Sequence, residues 1–270
     1  FIILDSRLPQ AVTALLCGSA LAVSGLLLQT YFNNYLADPS ILGISSGASF
    51  GVGVVMLILG GSVGIGSLSF SGFLAVLVGA VIGSLLVMSV LLFFSSLVKD
   101  SLTLLIIGIM IGYITSSVIS LLNFFATAEG VHSYVIWGLG TFGGVSSAQL
   151  PFFSATIIIG LIGTILLIKP LNALLLGERY ATNLGINVRH TRNYILLTVG
   201  LLTACVTAFC GPIAFIGLAV PHISRLLLGS SNHSILLPFT LLTGSVMALL
   251  CNLACILPDR KSTRLNSSHY

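Results

Sequence analysis

The chain has 270 residues, of which 56% are apolar and only 6% charged, with a formal net charge of +4. Soluble domains carry about a quarter charged residues, so a fold coated by water is excluded. The 10 basic residues are scattered over short loops rather than gathered into a stripe, which removes nucleic acid from the partners.

In chain order, charge-free runs cover 8–37, 39–98, 101–128, 130–168, 193–224 and 226–258. About 20 apolar residues span a bilayer, so each run holds one or two crossings. The ten-residue alternation of a membrane β-barrel is missing. The pattern predicts seven spans, over 11–31, 43–60, 70–97, 103–125, 150–168, 193–210 and 235–257. Shorter helices are predicted over 131–141 and 213–228. The chain opens on Phe1-Ile-Ile-Leu without a basic start or cleavage site, and is expected to be a fragment lacking its native start. From Pro258 the sequence turns polar and aperiodic. Residues 1–257 are therefore expected to form a single transmembrane domain, and 258–270 a non-native tail.

Alternating the spans puts Lys99, Lys169, Arg179, Arg189, Arg192 and Arg225 on one side and Arg7 on the other. The positive-inside rule makes the first side cytoplasmic, provided that the helix over 213–228 crosses. Glycines recur four apart at Gly47/Gly51, Gly60/Gly64, Gly79/Gly83, Gly108/Gly112 and Gly140/Gly144. In lipid, where apolar burial drives little association, such pairs are expected to bring helix backbones close. Cys17, Cys205, Cys210, Cys251 and Cys255 lie in apolar runs with no CxxC pair, so buried thiols are expected. The segments Pro39–Gly43 and Pro212–Gly217 read as breaks leading into new helices, a pattern of transporter halves.

The inventory for catalysis is thin. No charged residue sits deep in a span, where a proton-coupled carrier usually needs a carboxylate or His. The zinc-protease and phosphate-loop motifs are absent, so ATP energy would have to arrive from another chain. No catalytic residue and no metal ligand set is expected. The segment 169–192 is the informative one. Leu174, Leu175, Ala181 and Leu184 recur at roughly helical spacing, and Gly177 and Gly185 permit sharp breaks. Two short helices outside the membrane follow. They either rest on headgroups or seat in the groove of a cytosolic partner.

Five stretches, in order, resemble the FecCD-type permease family, the membrane-spanning subunits of ABC importers for iron-siderophores, haem and cobalamin. They are Arg7-Leu-Pro-Gln with its following helix through Gln29, Asn34-Tyr-Leu-Ala-Asp-Pro to Ala48, Trp137 to Gly144, Leu176-Gly-Glu to Gly185, and Gly211-Pro-Ile-Ala-Phe-Ile-Gly to Arg225. The resemblance implies an all-α polytopic bundle of the type II importer permease kind, about ten helices when complete, with the first and last missing here. It implies a homodimer in the cytoplasmic (inner) membrane, surrounded by lipid. Two ATP-binding subunits would dock on the cytoplasmic face, and a periplasmic or lipid-anchored substrate-binding protein opposite. ATP and Mg would be held by the partner subunits, with no cofactor on this chain.

It also implies site residues. Asn34 and Leu36 match a cytoplasmic constriction, with Tyr35 where the family has Pro. Ser101 matches a second gate position, although on the residues alone a helix cap fits as well. Gly108 and Gly112 lie along the same pathway helix. Gly177, Glu178, Ala181, Leu184 and Gly185 match the loop coupled to the ATPase, joined by Arg192 and, at a second cytoplasmic turn, by His222 and Arg225. Arg7 matches a position that pairs with a carboxylate of the binding protein, or is an interfacial anchor. The neighbouring family Arg is Gln10 here, and a third aligns with Ile256. The rival reading is an ion-coupled secondary transporter independent of ATP.

Overall fold

The computed structural model describes residues 6–60, 62–65, 68–98 and 100–266. Lys99 and the last residues of the polar tail lie outside the described residues. The described residues form eleven α-helices and one hairpin: α1 (Leu8–Tyr31), α2 (Ile44–Gly53), β1 (Ser62–Ile65), β2 (Leu68–Ser71), α3 (Phe73–Leu97), α4 (Ser101–Phe125), α5 (Ala128–Gly138), α6 (Leu150–Ile165), α7 (Ile168–Leu174), α8 (Glu178–Asn183), α9 (Val188–Cys210), α10 (Ile216–Leu228) and α11 (His233–Asn266). Hydrocarbon offers no partner for backbone N–H and C=O groups, so long apolar runs close their hydrogen bonds internally as helices. Pro9 in the first turn of α1 and Pro151 in that of α6 sit where no donor is lost.

Four expectations need correction. Five helices are long and apolar enough to cross a membrane, or six if α6 and α7, bent by 51°, count as one; seven were expected. The stretch predicted over 43–60 is helical only from Ile44 to Ile58, including a wide π-type turn. At about 1.5 Å per residue it falls short of a ~30 Å core. The span predicted from residue 70 begins at Phe73, because 70 and 71 belong to β2, whose Ser71 pairs with Ser62. Gly64 therefore lies in a strand and Gly60 at the exit of the preceding turn, so this pair joins no helices.

Other glycines carry the packing. Gly47 and Gly51 of α2 lie directly on Gly83 and Gly79 of α3, and a side chain at any of the four would run into neighbouring backbone or a valine. Gly18 of α1 faces Gly244 of α11, and Gly25 faces the carbonyl of Gly217 in α10. Helices α1 and α9 occupy the centre: 78% of the most apolar stretch of each is buried, against 17% in α4. Leu26, Leu27, Leu28, Phe153, Ile157 and Leu196 fill the interior. Cys17, Cys205 and Cys210 are buried as expected, but Cys251 and Cys255 are exposed on α11.

Candidate functional site

Residues 32–43, between α1 and α2, form the first break. Asn34 turns its carboxamide back, its Oδ1 accepting from the Leu36 N–H at 2.9 Å. That turn holds Tyr35 and Leu36 outward, 61% and 66% exposed. Asp38 points the other way and is only 6% exposed. It accepts from Ser40 N–H at 3.4 Å and Ser40 Oγ–H at 3.1 Å, and from the Phe215 N–H. Burial pushes its carboxyl above the usual range, and these bonds pull partly back.

Residues 211–215, between α9 and α10, form the second break. Phe215 caps α10 with φ 69°, a conformation costly for a bulky residue. The Asp38 carboxylate holds it there, at the helix terminus where unpaired N–H groups and the dipole favour an anion. The breaks that looked separate in sequence are thus bonded to each other.

The far end of α10 is tied to the same loop. Arg225 donates through Nη1 to Gln29 Oε1 at 2.6 Å. Its guanidinium lies 5.0 Å from the centre of the Tyr35 ring, within cation–π range. Gln29 Nε2 donates to the carbonyl oxygens of Leu218 at 3.1 Å and Gly217 at 3.4 Å. His222 meets Tyr35 edge-on at 6.0 Å. Arg225 and His222 lie beside the loop of Asn34 and Leu36, and His222 stays exposed.

The 169–192 segment folds as expected into two short helices, α7 and α8. Gly177 (φ 101°) and Gly185 (φ 84°) adopt conformations that L side chains rarely reach, and each has open space where a Cβ would be. Leu171, Leu174 and Ala181 point into the core, so Ala181 is a seat for the loop rather than a contact. Leu175, Leu176, Tyr180 and Leu184 stay exposed, beside Glu178. Arg192 departs from the expected role: it is 5% exposed. It donates to the carbonyls of Val98, at 2.9 Å, and Ser95, lacing the start of α9 to the end of α3, so it cannot meet a partner directly.

A second polar tie joins α7 to the bundle. Asn172 Oδ1 accepts from the backbone N–H of His233 at 2.8 Å and lies 2.9 Å from His233 Nδ1. A carboxamide oxygen only accepts, so Nδ1 donates; Nε2 lies 2.8 Å from Thr30 Oγ1, whose hydroxyl also donates to the Leu26 carbonyl at 2.9 Å. Asn172 Nδ2 donates to Asn232 at 3.1 Å. The chain Asn172–His233–Thr30 runs from the exposed loop to the end of α1, immediately before Asn34.

The remaining candidates are less connected. Ser101 opens α4, but the cap is Asp100, which accepts from the N–H and hydroxyl of Thr103, both at 3.0 Å; these bonds hold its carboxyl below the usual range. Gly108 packs on the backbone of Leu42, a contact glycine rather than a pathway lining. Gly112 faces Ser46 with room to spare. Arg7 is exposed at the start of α1 with only a 3.4 Å contact to Gln10, and Gln10 ties α1 to Asn252 of α11 at 3.1 Å. No group of metal-ligating side chains is found among the described residues. Sequence reasoning missed Asn172 and His233 and gave Gln29 and Asp38 no role. Their signal was available: polar residues inside or beside otherwise uncharged runs.

A central buried helix, broken segments bonded to each other and a short-helix loop outside the bundle define a multi-pass membrane permease subunit. The FecCD transport family model matches residues 1–259, and the chain belongs to that family. It is 35% identical over 250 residues to the vitamin B12 import system permease protein BtuC of Salmonella typhimurium (strain LT2), covering 91% of this chain and 72% of that protein. The figures are the same for BtuC of Salmonella newport. A solved structure described as an inward-facing conformation of a metal-chelate type ABC transporter superposes with a TM-score of 0.86 at 33% identity, over 96% of this chain and 80% of that one.

Proposed function

We propose that this chain is the membrane subunit of an ATP-driven importer for a bulky metal chelate, cobalamin or an iron complex, in a bacterial inner membrane. The ATP would be hydrolysed by separate subunits docked on α7 and α8, and the cargo delivered by a binding protein on the side of Arg7. Two copies would enclose the pathway, with the open face of α4 turned toward it.

The observation that carries this reading is the mechanical continuity of the loop. Its exposed leucines and Tyr180 offer an apolar surface for a groove. Behind them, Asn172, His233 and Thr30 lead to the end of α1, and Gln29, Arg225 and Tyr35 lead on to Asn34 and Leu36. A push on the loop would therefore reach the constriction through side-chain hydrogen bonds, the end of α1 and the Arg225–Tyr35 cation–π contact. The cobalamin and metal-chelate relatives support the cargo class.

Gly185→Trp tests the docking step. A Trp there must adopt φ 84°, and the loop has to reshape to relieve it. Co-purification with the ATPase subunit should be lost while the chain still inserts and melts normally. Retained ATPase at wild-type stoichiometry would remove the loop from docking.

A further inference from the structure

Arg192 is a buried cation without a counter-ion. Only 5% of it is exposed. Its terminal nitrogens donate to the carbonyls of Val98 and Ser95, while Nε has no partner. Carbonyl oxygens solvate a guanidinium but do not neutralise it. No carboxylate lies within ion-pair distance of Arg192 among the described residues. Asp100, on the nearby α3–α4 turn, is spent on Thr103. An unpaired buried charge is costly, and most of all in a membrane.

Beside Arg192 lies a cavity of about 200 Å3. Tyr31 at the end of α1, Val98, Glu178 of α8, and Val188, Arg189 and Arg192 of α9 line it. The Tyr31 hydroxyl sits against the Arg192 guanidinium. Arg192 supplies a fixed positive charge at the floor of this space. The first turn of α9, a helix of 23 residues, adds the positive end of its dipole. Asn187 satisfies the His190 N–H there, and the N–H groups of Val188 and Arg189 have no partner among the described residues. Arg189 stands exposed at the rim, with a guanidinium that matches phosphate oxygens.

Glu178 selects the kind of anion. It is exposed at the same rim, so a plain anion would meet a carboxylate. A phosphate with an ammonium a few bonds away satisfies both signs. At about 30 Å3 per water the space holds about seven waters, room for a phosphate and a short amine but not for a nucleotide. The position suits a lipid. The cavity lies where α9 enters the bilayer on the side rich in Lys and Arg. On α3, just before Val98, Phe93 and Leu97 are 61% and 63% exposed, an apolar flank for acyl tails.

We propose that the cleft between the end of α3, α8 and the first turn of α9 binds a phosphoethanolamine headgroup from the leaflet on that side. The phosphate rests on Arg189 and the α9 terminus, with the Arg192 charge behind it, and the ammonium on Glu178. Its occupancy braces α8 against α9. This goes beyond the importer reading and needs neither cargo nor ATPase.

The test strips the full chain of lipid in detergent and titrates it with short-chain phosphatidylethanolamine, phosphatidylglycerol or phosphatidylcholine, counting bound lipid by native mass spectrometry. The ethanolamine lipid should fill one site about tenfold more tightly than the other two. The glycerol lipid lacks the ammonium, and the choline lipid has no N–H to give Glu178. Arg189→Gln should weaken the ethanolamine lipid about tenfold. Glu178→Gln should erase the preference for ethanolamine over glycerol and leave the glycerol lipid bound at least as well as before. Lys169→Gln, an exposed cation outside the cleft, should change neither. Free phosphoethanolamine forms a further arm: competition would place the source in solution, and failure to compete would place it in the bilayer, the phosphoester site being the same. Equal binding of the three lipids, or affinities unchanged in Arg189→Gln and Glu178→Gln, would overturn the site. So would a thermal midpoint that Glu178→Gln lowers equally with and without lipid, since Glu178 would then be a counter-ion within the chain. No such result touches the importer reading, and loss of ATPase docking leaves the lipid site standing.

Discussion

Helices α1 and α4 differ by one residue in length, 24 against 25, and both are apolar with glycines and hydroxyls along them. They nonetheless do opposite things. In α1 each glycine meets a backbone: Gly18 that of Gly244, Gly25 that of Gly217. Its polar residues Gln29 and Thr30 are bonded inward. In α4, Gly108 packs on the Leu42 backbone, but Gly112 meets only a serine hydroxyl, and Tyr113, Ile114, Leu121 and Phe124 are exposed. The first helix is a closed strut. The second is a wall with one side still open, as a helix lining a pathway or meeting a second copy has to be. The difference teaches that residue type does not set a helix's role in lipid; what stands opposite it does.

The comparison breaks hardest at Gly25. Gly25→Ala would press a methyl into the Gly217 carbonyl, a backbone obstacle that cannot rotate away. Overpacking of this kind costs about 3 kcal/mol, and the thermal midpoint in detergent should fall by more than for any substitution in α4. Arg192→Met comes next. It removes two charge-assisted bonds to the end of α3 but also a buried charge, so a loss of about 2 kcal/mol is expected in the same melt. ATPase co-purification should persist, since Arg192 faces inward. A loss of docking without a loss of stability would restore the surface role that its sequence position suggested. The smallest effect belongs to Gly112→Ala. Its added methyl would rest 3.6 Å from Ser46 Oγ, an ordinary contact, and alanine is the better helix former by roughly 0.5–1 kcal/mol. Stability should hold or rise slightly; a large drop would mean that α4 is packed as tightly as α1.

The fold class and most of the helices were legible because lipid imposes a simple rule: long uncharged runs must be helical. The hairpin over 62–71 was missed although its sequence carries a signal: small and apolar residues alternate along Ser62–Ile65 and Leu68–Ser71, the two-residue period of strands. The two short helices of the 169–192 segment were legible from Gly177 and Gly185, whose positive φ is a local demand that glycine announces. Arg192, Arg225 and His222 were placed near the right end of the bundle, but the direction of each side chain was not readable. A cation near a membrane surface can face a partner or a carbonyl equally well, and the choice belongs to whatever packs beside it.

The sequence alone determined that this chain lives in a membrane and where most of its helices fall, because hydropathy and local glycine and proline geometry act over a few residues, and its short motifs pointed to the family. Only the tertiary structure decided that the breaks at 32–43 and 211–215 are held together by Asp38, and that scattered serines face one cavity. The first joins residues more than a hundred positions apart, and the second gathers serines up to 80 positions apart, Ser40 to Ser120. Hydrogen bonding and close packing select them only once the backbones have met.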